Sequence, residues 1–255
     1  MTALRRREQL GDVTVHFLIL GPLEVRASGK LITVEGLRQR RLLAILLINI
    51  NRTIGVERLA DELWIEPPQS FRQQIHNAIG SLRRTLIPAI DRLRITTTDG
   101  GYRLELPESH VDAHEFHNLI RLAQQAKDSG QPEEAAKNLE SALSLWRGTL
   151  LLGLDSRMIS SMATSFDEDR LIAFESLVEL RIQLGQSGSV IGGLREMLTE
   201  NQFRESLRGS LMRALDSAGR QADALAVYED GRKLLANELG LDPGPEIRRL
   251  HTEIL

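Results

Sequence analysis

Residues 70–86, SFRQQIHNAIGSLRRTL, bring amides and guanidinium groups to one side of a predicted helix. Phe71, Ile75, Ala78, Ile79, Leu82 and Leu86 recur at helical spacing and make a narrow apolar stripe. The opposite side carries Gln73, Gln74, His76, Asn77, Gly80, Ser81 and Arg84, with Arg72 and Arg83 on the flanks, and it holds no carboxylate. Asn, Gln and Arg pair bidentately with adenine and guanine edges, whereas a merely solvated helix mixes both signs of charge. The chemistry on offer is recognition of duplex DNA; the competing reading is an ordinary surface helix.

Other chemistries find less support. His110, His114 and His117 lie close to Asp112 and Glu115, and His114 and His117 at i, i+3 share a helix face. Asp112 and Glu115 are already accounted for as a capping box, and so local a ligand set needs a further residue from elsewhere, so no metal is expected. Gly29-Lys30 lacks the earlier glycine and following Ser/Thr of a phosphate loop. No Ser/His/Asp set sits in an elbow context, and with no cysteine there is neither disulfide nor thiol catalysis. The expectation is a non-enzyme without cofactor. Trp64 and Trp146 read as core residues. The stripe Leu171, Phe174, Val178 and Ile182, beside Leu177 and Leu184, reads as helix packing.

The chain has 255 residues, 42% hydrophobic and 26% charged, enough for two domains. Its formal charge of −3 conceals a split: residues 1–107 hold 16 Lys+Arg against 11 Asp+Glu, and 108–255 hold 16 against 24, giving +5 and −8. That is the balance of an anion-binding module joined to an acidic one. No apolar run approaches a membrane span, and the run from Val15 to Leu23 contains His16 and no cleavage site, so it reads as a strand and not a signal peptide. A cytoplasmic, nucleoid-associated protein without a membrane partner is expected.

The elements that must position the helix are legible in order. Residues 1–12 are expected to be a flexible basic tail. Val13, Val15, Phe17, Leu23, Val25, Leu31, Ile32 and Val34 alternate like a small antiparallel sheet turning at Ser28-Gly29. A helix from Leu37 to about Asn49 buries Leu42, Leu43, Leu46 and Leu47 and crowds Arg38, Arg40 and Arg41 into its first turns, against the macrodipole, a placement that suits a neighbouring phosphate or, equally well, a partner carboxylate. A second spans Val56 to Trp64. Ser70 or Gln69 caps the third and Pro88 stops it. Arg92 to Leu106 is a hairpin about Asp99-Gly100-Gly101. Sheet, three helices and hairpin make a winged helix-turn-helix domain over 13–107.

After a linker at 108–111 the chain is all helix. Gly130, Gly185 and Gly219 each separate two helices, and 34 residues, the tetratricopeptide period, part the last two. The 55 residues between the first two require an insertion of about 20. Five, nine and twelve positions after each glycine stand Ala135, Leu139 and Ala142; Val190, Leu194 and Met197; and Ala224, Tyr228 and Gly231. Residues 112–255 are thus expected to be an all-α, tetratricopeptide-like repeat domain, and the fold class is α+β followed by all-α.

Gly100-Gly101-Tyr102-Arg103-Leu104 resembles the wing of an OmpR-type winged helix. With Gly21-Pro22-Leu23-Glu24-Val25, Gln39-Arg40-x-Leu42-Leu43-Ala44, Leu59-x-x-x-Leu63-Trp64 and Pro67-Pro68-x-Ser70-x-Arg72, it makes residues 14–255 similar to the streptomycete antibiotic regulatory protein (SARP) family of transcriptional activators. The helical half resembles that family's bacterial transcriptional activation domain and ends where that domain ends, as in the family's short form. Relatives often carry an aromatic at the place of Ala78 and an arginine at the place of Ser81; here both are small, which leaves the groove face leaner. Base edges then fall to Gln73, His76, Asn77 and Arg84. Arg72 and Arg83 are assigned to phosphates, with Arg40 or Arg41 and the wing residues Thr98 and Arg103. The resemblance implies direct-repeat operators near promoters of antibiotic or other secondary-metabolite genes, recruitment of RNA polymerase holoenzyme, and self-association on DNA. The alternative is an interaction adaptor or ligand sensor whose winged helix contacts protein.

Overall fold

The computed structural model describes residues 17–255, which divide into two compact units: residues 17–119 with 142–169, and residues 120–141 with 170–255. The basic tail expected at 1–12 and the strand residues Val13 and Val15 lie outside the described residues.

In the first unit, β1 (Phe17–Leu18), β2 (Glu24–Ala27) and β3 (Lys30–Leu31) form an antiparallel sheet, with Phe17 opposite Val25 and Ala27 opposite Lys30. Ser28 and Gly29 both adopt positive φ, the primed turn that suits the twist of two-residue hairpins. α1 (Leu37–Ile48) follows, with Leu42 through Leu47 all buried. Ala44 and Ile45 join the four expected leucines because this helix is surrounded by other elements, as an apolar-all-round helix must be. β4 (Ile54–Gly55), α2 (Val56–Leu63) and α3 (Phe71–Leu86) precede the hairpin of β5 (Arg94–Thr98) and β6 (Gly101–Glu105), and the second sheet has the order β4-β6-β5.

The compact units do not part at 108–111. Glu108–His110 is a short 3-10 turn, and Val111 is fully buried and bridges Phe17 in parallel. α4 (Asp112–Asp128) then begins on the carbonyl of Val111, which accepts the N–H groups of His114 and Glu115. The capping-box reading of Asp112 is corrected here. Its carboxylate is taken chiefly by the N-terminal sheet, accepting the backbone N–H of Ile19 (2.7 Å) and Leu20 (3.1 Å). Residues after α5 (Pro132–Leu143) complete the seam: Arg147 N–H donates to the Leu20 carbonyl and Leu151 N–H to that of Ile19. A Cβ on Gly21 would lie 3.0 Å from the Arg147 Cβ, and φ there is +146°, so the glycine of Gly21-Pro22 is required by close approach. Trp146 meets Phe116 edge-on at 5.6 Å.

The second unit carries the repeats. α4, α6 (Arg157–Gln183) and α8 (Glu205–Ser217) each end at a glycine with φ near +70°: Gly130, Gly185 and Gly219. At each, the glycine N–H bonds three residues back, and the next residue bonds five back (Gln131 to Ala126, Gln186 to Arg181, Arg220 to Leu215). The three ends are therefore the same left-handed helix cap. α7 (Ile191–Glu200), α9 (Gln221–Leu239) and α10 (Pro245–Ile254) complete the unit. The +5, +9 and +12 residues of all three repeats are buried, as the register requires. Leu171 and Val178 sit in the core with Leu194, Leu211, Leu215 and Ile247, and Phe174 and Ile182 pack against it. Most of the insertion between the first two glycines lies in residues 142–169, in the other unit. Among the described residues no helix is long and apolar enough to cross a membrane.

Candidate nucleic-acid interface

α3 turns Ile75, Ala78, Ile79, Leu82 and Leu86 into the core of the first unit. Arg72, Gln73, His76, Asn77 and Arg84 are exposed, and Gly80 and Ser81 are half-buried. Gln73 Nε2 donates to Asn77 Oδ1 at 3.0 Å, so two amides one turn apart present a joined polar edge. Arg84 has no hydrogen-bond or ion-pair partner among the described residues; its Nη1 reaches back over Gly80, 3.6 Å from where a Cβ would stand. Ala78 is only 5% exposed, so its place in the family pattern concerns packing against α1 and α2, and the outward face is not made leaner there. The Ser70 cap is also corrected: its backbone (φ −87°, ψ 13°) is turn-like, and its hydroxyl accepts from Gln74 Nε2 at 3.0 Å instead of capping the helix. The Phe71 N–H is taken by the Pro68 carbonyl.

The wing stands against this helix through specific groups. Ile95 pairs with Leu104 and Thr97 with Tyr102 on one face of the hairpin. Arg83 Nε donates to the Ile95 carbonyl (2.8 Å) and Nη2 to Thr97 Oγ1 (2.9 Å), while Tyr102 Oη lies 3.5 Å from His76 Nδ1. The two glycines of the wing do different jobs. Gly100 takes φ +87° at the turn. Gly101 lies where β4 crosses: a Cβ there would stand 2.1 Å from the Ile54 carbonyl oxygen. Arg103 alternates to the other face, where Nη2 meets Glu105 Oε1 at 2.5 Å, and Thr96 Oγ1 donates to the same carboxylate oxygen at 3.2 Å. Thr98 is half-buried, with its hydroxyl unbonded among the described residues.

Comparison with known proteins gives this architecture a family. Residues 36–104 match the family described as "Transcriptional regulatory protein, C terminal", and residues 111–255 match "Bacterial transcriptional activator domain". The transcriptional regulator RedD of Streptomyces coelicolor is 33% identical over 94% of this chain and 70% of its own length. The chain belongs to the SARP family of transcriptional activators. Its matched families are those of transcriptional regulators, not enzymes. The transcriptional regulatory protein EmbR of Mycobacterium tuberculosis is 36% identical over 96% of the chain, which spans 65% of the relative's length. A solved structure of EmbR in complex with a low-affinity phosphopeptide superposes with a TM-score of 0.88 over 93% of this chain and 64% of that one.

The remaining assigned residues of this SARP chain sort by what holds them. Arg72 pairs with Glu57 of α2, both well exposed, so a carboxylate invisible from α3 alone stands beside the recognition face. Arg41 donates to the Leu63 carbonyl at the end of α2 (3.4 Å). Arg40 lines a shallow groove over the N-terminal sheet with Leu23, Val25, Leu31 and Val34. The histidines are dispersed: His110 bonds the Pro107 carbonyl, His114 Nδ1 faces Glu108 at 3.5 Å, and His117 Nε2 faces Asp169 at 3.0 Å. Trp64 is half-buried and serves as a platform, with the Arg38 guanidinium 4.7 Å over its ring. Sequence reading did not assign Arg38 to the interface; the signal was the run of arginines in the first turns of α1.

Proposed function

We propose that this SARP-type regulator is a sequence-specific DNA-binding activator in which α3 enters the major groove and the hairpin wing lies along the neighbouring backbone. The observation that carries this is the outward face of α3: a bonded Gln73–Asn77 pair, an exposed His76 and an unpartnered Arg84, with no carboxylate on the face itself. Gln73, His76, Asn77 and Arg84 read base edges. Arg83 fastens the wing, and through it the residues about Thr98 and Arg103 reach phosphate. Arg72 exchanges Glu57 for a phosphate on binding. The DNA module is residues 13–107 and the activation domain 112–255, acting in the cytoplasm at the nucleoid.

The same reading extends to direct-repeat operators at secondary-metabolite promoters, self-association on DNA and recruitment of RNA polymerase holoenzyme. Support comes from the family and from the basic-to-acidic split of the chain. Selection of duplexes from a random pool with the full chain tests it. Enriched duplexes should share a repeated motif and bind with a steep dependence on salt. Recovery of no motif, together with binding that salt does not weaken, would sink the reading in favour of a protein-contacting winged helix.

A further inference from the structure

The arginines of α1 and α3 are not equivalent, and the difference singles out one. Arg72 faces Glu57, Arg83 is tied to the wing, Arg41 bonds a carbonyl of α2, Arg40 lies on the sheet side, and Arg84 is exposed with nothing to hold it among the described residues. Arg38 is exposed, and no acidic side chain pairs with it among the described residues; the first turn of α1 holds no acid either. Yet its guanidinium is held in place. It lies 4.7 Å over the Trp64 ring, and Nη1 donates to Gln74 Oε1 at 2.8 Å. Gln74 is itself fixed by its bond to Ser70 Oγ, on the first turn of α3. A cation so oriented, with four of its five N–H donors unused, loses little rotamer freedom on meeting an anion.

We propose that Arg38 is a backbone-phosphate clamp of the DNA interface, latched by Gln74 to the N-terminal turn of the recognition helix. This deepens the DNA-binding reading and rests on it. Gln74 sits at the edge of α3 between the buried stripe and the outward face, half-buried, so the clamp grips the backbone beside the groove and reads no base. The charge is retained beside the helix start, where the macrodipole disfavours it, because a phosphate and not a protein carboxylate is its partner.

Binding of the full chain is measured over a salt series, using one duplex recovered by selection with the wild-type chain and one unselected duplex of equal length. Arg38→Ala should weaken binding to both alike, by about tenfold, and reduce the slope of log affinity against log salt by about 1. Gln74→Glu, which sets a carboxylate against Arg38, should reproduce that slope change with the arginine still present. Arg38→Lys should keep the slope, since the charge remains, while losing part of the affinity. Thermal melts of each variant should stay close to wild type, as Arg38 is exposed and the two bonds that half-buried Gln74 makes are themselves exposed. An unchanged slope in Arg38→Ala and Gln74→Glu overturns the clamp, as does a loss confined to the selected duplex. A wild-type chain that binds neither duplex overturns the DNA reading itself, a separate failure.

Discussion

Arg83 distinguishes a cation that holds phosphate from one that holds the protein together. Its guanidinium is half-buried and bridges α3 to β5 through the Ile95 carbonyl and the Thr97 hydroxyl. Hydrogen bonds from a charged donor contribute about 1.5–3 kcal/mol when sheltered. The bond to Thr97 is exposed and adds less, under about 1 kcal/mol by the measure of surface interactions. Arg83→Ala should therefore lower unfolding free energy by about 2–3 kcal/mol, read from urea denaturation at constant m-value. With the wing loosened, affinity for DNA should fall about tenfold, about 1.4 kcal/mol, while the salt slope stays at its wild-type value. Arg83→Lys should recover little of either, because one ammonium cannot span both acceptors with the fork geometry. A slope reduced by about 1 in Arg83→Ala, with stability unchanged, would refute the anchoring role and return Arg83 to the phosphates.

Other outcomes follow from the same geometry. Arg84→Ala should cost about 1–3 kcal/mol on a selected duplex and much less on an unselected one, since Arg84 is exposed and unpartnered at the end of the recognition face; equal losses on both would make it a phosphate contact. Gly101→Ala should destabilise the chain by about 3 kcal/mol or abolish the β4–β6 pairing, because the added methyl group would meet the Ile54 carbonyl, whereas Gly55→Ala, with only the Gly100 carbonyl 3.8 Å away, should be mild by comparison. Urea melts of the two variants side by side check this.

How far the sequence carried the reading depends on range. Elements whose logic is local were legible. The stripe from Phe71 to Leu86 is set by helical spacing, the wing turn by Gly100, and the repeat ends by glycines that take positive φ in three equivalent caps. Long-range partners were not. Glu57 reaches Arg72 across 15 positions, Arg83 reaches Ile95 and Thr97 across 12 and 14, and Arg38 meets Gln74 across 36. A helical wheel shows which side a residue occupies but not which neighbour stands there, so cations on the flanks of α3 looked equally free. Ala78 shows the reverse case: the stripe already placed it inward, and the family pattern drew attention to the wrong face.

Asp112 ties the start of the helical half to the N-terminal sheet, and its titration should report that tie. The residue is 1% exposed, and burial pushes its pKa from the ordinary 3.8 up to about 6. The N–H groups of Ile19 and Leu20, the charge of Arg147 and the N–H of Ala113 pull the other way without cancelling it. Because the folded value exceeds the unfolded one, the folded chain holds this proton more tightly between about pH 4 and pH 6. The stabilisation is fully present below pH 3.8 and is lost as pH rises through 6. At about 1.4 kcal/mol per unit, the span corresponds to at most about 3 kcal/mol. Asp112→Asn has no proton to exchange, so the stability difference between wild type and variant should shift in favour of the variant by up to that amount as pH rises from 4 to 7. At neutral pH the variant still lacks one of the two acceptors, and its amide would face a backbone N–H. The same tie predicts that a fragment ending at Pro107, stripped of Val111, Asp112, Arg147 and Leu151, melts well below one extending through residue 169. Equal melting of the two fragments would show that the sheet stands without this anchor, and a wild-type minus Asp112→Asn difference that does not vary with pH would refute the raised pKa of the buried carboxyl.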